Sequence, residues 1–156
     1  MKGEELLAFF DPRLCLFDLK GRTKDPVLAE IVALVAPDMR GSTQHIILDM
    51  LRNREALGST AVGKGVAFPH GRSLAVTRLM AIFARSNAGV AFDSLDGEPT
   101  YLFFVLLAPP QDRANLYLPA LGRIIETVRD DTLRDRLMKV STFEQFAAVL
   151  KEGPVA

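Results

Sequence analysis

Three short apolar runs constrain this chain more than any other feature: Val66-Ala67-Phe68, Leu79-Met80-Ala81-Ile82-Phe83-Ala84 and Leu102-Phe103-Phe104-Val105-Leu106-Leu107. Gly, Pro, Asn and Asp bound them, and they show no apolar-polar alternation. Runs of that length fit strands buried on both faces better than helices, which need ten or more residues. The three are expected to form one sheet. Gly89-Val90-Ala91-Phe92 is expected to add a short edge strand before the turn at Asp96-Gly97-Glu98-Pro99.

A sheet buried on both faces needs helices to cover it, and the flanking segments have helical period. Asp25 and Pro26 are the predicted N-cap and first helical position of a helix carrying Leu28, Ile31, Val32 and Val35, which Pro37 ends. A second helix follows Gly41-Ser42-Thr43, with Ile46, Ile47, Met50 and Leu51 on one face, and Gly58 closes that segment. Residues 10 to 24 read as an irregular or extended lead-in. Toward the C-terminus, Leu118, Leu121, Ile124, Ile125 and Val128 line a helix that Pro119 starts or kinks. A short helix follows Asp130-Asp131, and Ser141-Thr142-Phe143-Glu144 reads as a capping box for the last one. The expected fold is a layered α/β domain: a central mixed β-sheet flanked by α-helices.

Composition narrows the function. A chain of 156 residues that is 49% hydrophobic is long enough for one well-buried domain, without a disulfide or structural metal. The lone Cys15 can neither pair within the chain nor make a cysteine-ligated zinc site, which suits a reducing compartment. With 19 Lys+Arg against 19 Asp+Glu and no block of like charge, the chain lacks the basic footprint of a nucleic-acid binder. The first residues lack a secretory layout and no apolar run approaches a membrane span. Neither nucleic acid nor membrane insertion is expected, and the expected location is cytoplasmic.

Two patterns invite chemistry. Gly58-Ser-Thr-Ala-Val-Gly63-Lys64 approaches a P-loop, but Gly65 stands where Ser or Thr would hold magnesium, and a helix precedes where a strand is required. It reads instead as a glycine-rich turn entering a strand. Phe68-Pro69-His70-Gly71-Arg72 places a histidine at the end of a buried strand, between a residue that fixes φ and one that permits close approach. A free imidazole titrates near pH 6.5, so it offers a nitrogen lone pair at neutral pH and can serve as a nucleophile. His45 and Asp49 share a helix surface, but two such side chains do not make a catalytic metal site.

Arg54-Glu55-Ala56-Leu57-Gly58-Ser59-Thr60, continuing through Gly63-Lys64-Gly65-Val66-Ala67-Phe68-Pro69-His70-Gly71, resembles the signature of enzyme IIA domains of the fructose/mannitol class of the bacterial phosphoenolpyruvate sugar phosphotransferase system. That class includes the nitrogen-regulatory IIA proteins. The resemblance runs from about Leu14 to Leu150 and takes in Phe92-Asp93-Ser94-Leu95-Asp96-Gly97-Glu98-Pro99. It implies a single IIA type-2 domain over residues 1–156, with no cofactor and no metal. It further implies that His70 accepts a phosphoryl group from the small carrier HPr or an HPr-like protein. His70 then passes it to a IIB domain or holds it as a signal, and Arg54 is the phosphate-stabilising cation. The protein would thus be a phosphotransferase component. The alternative is a regulatory interaction protein whose phosphorylation state controls partner binding, without sugar transport.

Many members carry a second histidine in a His-Leu pair, and here Tyr117-Leu118 stands at that place, with Asn115 two residues earlier. Tyr117, Ser59, Gly71 and Arg72 are therefore candidate neighbours of the phosphate, and Lys64 a further source of positive potential. Leu57, Leu74 and Val76 are the candidate apolar docking surface for HPr.

Overall fold

A computed structural model describes residues 1–35 and 41–154. Its strands are β1 (Cys15–Leu16), β2 (Ala61–Gly63), β3 (Val66–Ala67), β4 (His70–Arg72), β5 (Met80–Val90) and β6 (Thr100–Ala108). Among the described residues they form one mixed six-stranded sheet in the order β1-β5-β6-β3-β2, with β4 paired to β6 off that path. β5 and β6 are antiparallel, β1 lies parallel to β5, and β3 and β4 both lie parallel to β6. β3 and β4 follow each other along β6: Val66 faces Leu102 and His70 faces Leu106. Between them Pro69 has no N–H for the ladder, yet its carbonyl still accepts from the Leu106 N–H, so the break does not shift the segment off β6.

The helices are α1 (Gly3–Leu7), α2 (Lys24–Val35), α3 (Gly41–Ala56), α4 (Tyr117–Arg129), α5 (Asp131–Leu137) and α6 (Phe143–Glu152). Alternate residues of β5 and β6 feed opposite faces. Ala81, Phe83, Leu102, Phe104 and Leu106 pack with Leu6, Ile124, Leu137 and Phe146 on the side of α1, α4, α5 and α6. Met80, Ile82, Ala84, Phe103, Val105 and Leu107 pack with Leu28, Ile31, Ile47 and Leu51 of α2 and α3 on the other. The layered α/β expectation is met. Phe83 and Phe146 stack with ring centroids 4.5 Å apart, and burying each such ring stabilises the fold by roughly 1.5–3 kcal/mol. Burial also pushes the Cys15 thiol up to about 12, which leaves it protonated and unreactive at neutral pH.

Local boundaries differ from the sequence reading for identifiable reasons. α2 begins at Lys24, with the Thr23 carbonyl accepting from the Val27 N–H, so Pro26 stands third. Proline is harmless there because a first-turn N–H has no intrahelical partner. Pro37 lies outside the described residues. α3 starts at Gly41 and turns Ile46 outward, at 52% exposure, while Ile47 and Leu51 are buried. The expected edge strand at Gly89 is instead the end of β5, which continues through buried Arg85 and Ser86 to Val90 with an irregular register. The last helix is capped by Thr142 rather than Ser141: the Thr142 side chain accepts from the Gln145 N–H, and Gln145 Oε1 reaches back to the Ser141 N–H. The lead-in holds a single 3-10 turn, Pro12–Leu14, before β1.

Candidate functional site

His70 opens β4, and its ring is fixed from both nitrogens. Nδ1 lies 2.8 Å from the Phe68 carbonyl oxygen. A carbonyl only accepts, so Nδ1 carries the hydrogen and Nε2 keeps the lone pair. Arg54, in the last turn of α3, places its Nε 3.3 Å from that Nε2 and anchors its Nη1 2.8 Å from the Gly58 carbonyl oxygen. The approach of α3 to β4 depends on Gly71. A Cβ at Gly71 would meet Met50 at 2.8 Å, so the close neighbour is the methionine side chain of α3 and not another backbone.

Tyr117, at the start of α4, meets His70 in an edge-type ring contact, with centroids 6.4 Å apart and planes at 64°. Arg72 follows His70 by two residues, so both side chains leave β4 on one side. The Arg72 guanidinium lies over the Tyr117 ring, 4.6 Å from its centroid, and donates to the Pro109 carbonyl. Burial raises the Tyr117 hydroxyl above its ordinary pKa, and the charges of Arg72 and Arg54 pull it part of the way back. It therefore stays neutral and can donate one hydrogen bond. Asp112 caps α4 by accepting from the Tyr117 N–H at 2.8 Å, and this bond, with a second from Leu116, holds its carboxyl below the usual range. Asn115 sits exposed in the loop before it, with φ 54.

The structure thus gathers His70, Arg54, Tyr117, Gly71 and Arg72. Ser59 lines the adjoining loop, but its hydroxyl is occupied: it donates to the Phe92 carbonyl and accepts from the Ala61 N–H. Lys64 does not join them. It occupies the β2-β3 turn at φ 55, and its charge acts on Asp131 from a small cavity shared with Arg134 and Met138. The segment from Gly58 to Lys64 follows α3 and contains β2, so the strand-loop-helix arrangement of a P-loop is missing. His45 is exposed on α3, and Asp49 pairs with Arg52 at 3.8 Å. Among the described residues no three His, Cys, Asp or Glu side chains cluster as metal ligands.

Exposed leucines stand next to the site residues in the chain. Leu57, Leu74 and Leu118 are 86%, 90% and 73% exposed. Two expectations are corrected here: Val76 is buried in the α2-α3 core, and Leu118 points outward instead of lining α4's packed face.

The family model described as phosphoenolpyruvate-dependent sugar phosphotransferase system, EIIA 2, matches residues 8–153. The chain belongs to this EIIA 2 family. It is 36% identical over 143 residues to a nitrogen regulatory protein of Bradyrhizobium diazoefficiens, covering 92% of each chain. The crystal structure of nitrogen regulatory protein IIA-Ntr from Neisseria meningitidis superposes with a TM-score of 0.83 at 31% identity, over 95% of this chain and 97% of that one. The mannitol IIA enzyme of Escherichia coli, solved in complex with phosphorylated IIB, matches at a TM-score of 0.74 and 17% identity over 92% and 99% of the chains, and so shares the fold. In this EIIA 2 domain the stacking of Arg72 on Tyr117 is what sequence reasoning could not supply, because Tyr117 is distant in the chain and reaches β4 only across β6. Alternation along β4 does place Arg72 on His70's side, and that signal was available.

Proposed function

We propose that residues 1–156 form one IIA type-2 phosphocarrier domain in which His70 Nε2 is the nucleophile. The observation that carries this reading is the pair of contacts on one ring, Nδ1 against the Phe68 carbonyl and Arg54 Nε against Nε2. The Nε2 lone pair attacks phosphorus of a donor phosphohistidine on HPr or an HPr-like carrier. A nitrogen–phosphorus bond forms at His70 as the donor's breaks, and the bonding pair returns to the donor nitrogen. Positive charge that builds on the His70 ring is shared with the Phe68 carbonyl through the Nδ1 hydrogen. Arg54 transfers its donation from Nε2 to a phosphoryl oxygen, where a permanent forked cation offsets the charge in flight. Arg72, held on the Tyr117 ring, supplies a second positive charge, and the Tyr117 hydroxyl is a neutral donor. Gly71 keeps α3, and with it Arg54, close to β4, while Ser59 steadies the loop that carries Gly58.

The phosphorylated state then serves as a signal. The relatives above 30% identity, those of Bradyrhizobium diazoefficiens and Neisseria meningitidis among them, are nitrogen regulatory proteins, which supports this use. Transfer onward to a IIB domain is the second reading, favoured by the shared fold of the mannitol IIA enzyme solved with its phosphorylated IIB partner. Either partner, and the donor, would dock on exposed Leu57, Leu74 and Leu118, giving an interface that releases readily. No helix of the described residues is long and apolar enough to cross a membrane, and we place the domain in the cytoplasm with its carrier.

Incubation with phosphoenolpyruvate, enzyme I and HPr, followed by intact-mass measurement, tests the reading. One added phosphoryl group, acid-labile and alkali-stable, is the expected result. No mass gain with several carriers of the HPr type would overturn it.

A further inference from the structure

Glu55 follows Arg54 in the last turn of α3, yet its side chain turns inward and is 2% exposed. Its Oε1 accepts from the Thr60 N–H at 3.1 Å and lies 3.6 Å from Lys24 Nζ, which also reaches Asp93 at 3.2 Å. Its Oε2 has no hydrogen-bond partner among the described residues. A carboxylate buried with one oxygen unmatched is destabilising, and groups of that kind concentrate where geometry has to be held for function.

What Glu55 holds is the turn from Leu57 to Thr60, and both halves of the site hang from that turn. On one side, the Gly58 carbonyl anchors Arg54 Nη1. On the other, the Thr60 carbonyl accepts from the Phe68 N–H at 3.0 Å, and the Phe68 carbonyl in turn fixes His70 Nδ1. A single carboxylate therefore sits behind the cation and behind the tautomer of the nucleophile. We infer that Glu55 is a positioning residue: by clamping the Thr60 N–H it sets the Gly58 carbonyl that aims Arg54 and the Phe68 carbonyl that keeps the hydrogen on His70 Nδ1. Lys24 anchors the clamp to α2. The inference rests on the phosphocarrier reading for its effect on rate, but not for its effect on the ring.

The test reads both. Long-range 1H–15N correlation NMR of the unphosphorylated protein reports the His70 tautomer, and transfer from phosphorylated HPr at limiting and saturating concentrations reports the rate. In Glu55→Ala, with the core amide spectrum retained, the two tautomers should mix. The saturating rate should fall about tenfold or more, with little change in the half-saturating concentration. Glu55→Gln keeps an oxygen for the Thr60 N–H and should restore the single tautomer and most of the rate. A folded Glu55→Ala with the pure Nδ1–H tautomer and an unchanged rate overturns the inference, as does a Glu55→Gln no better than Ala. Should Glu55→Ala fail to fold, Glu55→Asp, one methylene short of Thr60, decides: mixed tautomers support the clamp and a pure Nδ1–H form removes it. The tautomer needs no phosphodonor, so a wild-type protein that takes up no phosphate would sink the phosphocarrier reading and leave the clamp to be judged by NMR.

Discussion

Arg54 and Arg85 lie toward opposite ends of β6, and their surroundings differ in kind. Arg85, on β5 opposite Leu102, is 6% exposed; it donates from Nη1 to the carbonyls of Leu137 and Val140 and from Nε to Asn87 Oδ1, and its guanidinium lies over the Phe17 ring. Its acceptors are fixed parts of the fold, including carbonyls at the end of α5 that no helix bond satisfies. Arg54 has one such anchor, the Gly58 carbonyl, and its other contact is the lone pair of an imidazole. An arginine matched to fixed carbonyls stabilises structure. One aimed at an imidazole lone pair fits the proposed role of turning to a phosphoryl group that arrives later.

That contrast is open to experiment, beginning with the proposed nucleophile, His70. His70→Ala should abolish phosphorylation while leaving the melting temperature within a few degrees, because a half-buried imidazole at a strand end contributes little packing; a mutant that still gains phosphate by mass would remove His70 from its role. Arg54→Ala should slow transfer on the order of a hundredfold without loss of stability, and Arg54→Lys should recover part of the rate since a point charge lacks the fork. Equal rates in stopped-flow transfer for all three proteins would make Arg54 an ordinary helix-end charge. Arg85→Ala should do the reverse. Leaving buried carbonyls unpaired should lower unfolding stability by about 2–4 kcal/mol in urea titration, with transfer per folded molecule unchanged. A stable Arg85→Ala would erase the distinction between the two arginines.

The smallest effect concerns Tyr117. Its hydroxyl is held neutral, so the wild-type site gains no proton there as pH falls. In Tyr117→His the introduced imidazole protonates below about pH 6.5 and adds a cation beside the phosphate. Phosphohistidine lifetime should therefore lengthen toward acid pH relative to wild type, measured between about pH 5.5 and 8, which spans the ordinary histidine range. Superimposable profiles would show that Tyr117 acts only through packing and through the arginine stacked on it.

The sequence showed the layers clearly and the seams poorly. Uninterrupted runs such as Leu102 to Leu107 need cover on both faces, and the flanking segments of helical period supply it, so β6 and the fold class were legible. β5 was cut short at Ala84 because Arg85, Ser86 and Asn87 look like surface residues. Only the end of α5, far along the chain, supplies the carbonyls that let Arg85 stay inside. α1 is five residues long, too short for any period to register. Leu118 and Val76 exchanged places between surface and core, since an apolar residue at a helix start or in a loop has no neighbours in sequence to fix its direction. The motif around them singles out His70 and Arg54 as candidates, and the fold brings the two side chains into contact. Glu55 and Lys24 were not singled out, because a Glu beside an Arg on a helix reads as one more solvated charge until the fold turns it inward.

Among the described residues β4 pairs with β6 alone, and β6 is encoded after it. A ribosome that has delivered Gly71 has made His70 and Arg54 but not the β6 ladder that holds β4. Tyr117 and the support for Arg72 come later still. Chemical competence therefore arrives with the last pieces of the sheet and α4, so an emerging or half-folded chain would be invisible to the phosphorylation machinery. Under the phosphocarrier reading proposed above, phosphate on His70 would then mark a chain whose sheet and α4 are in place.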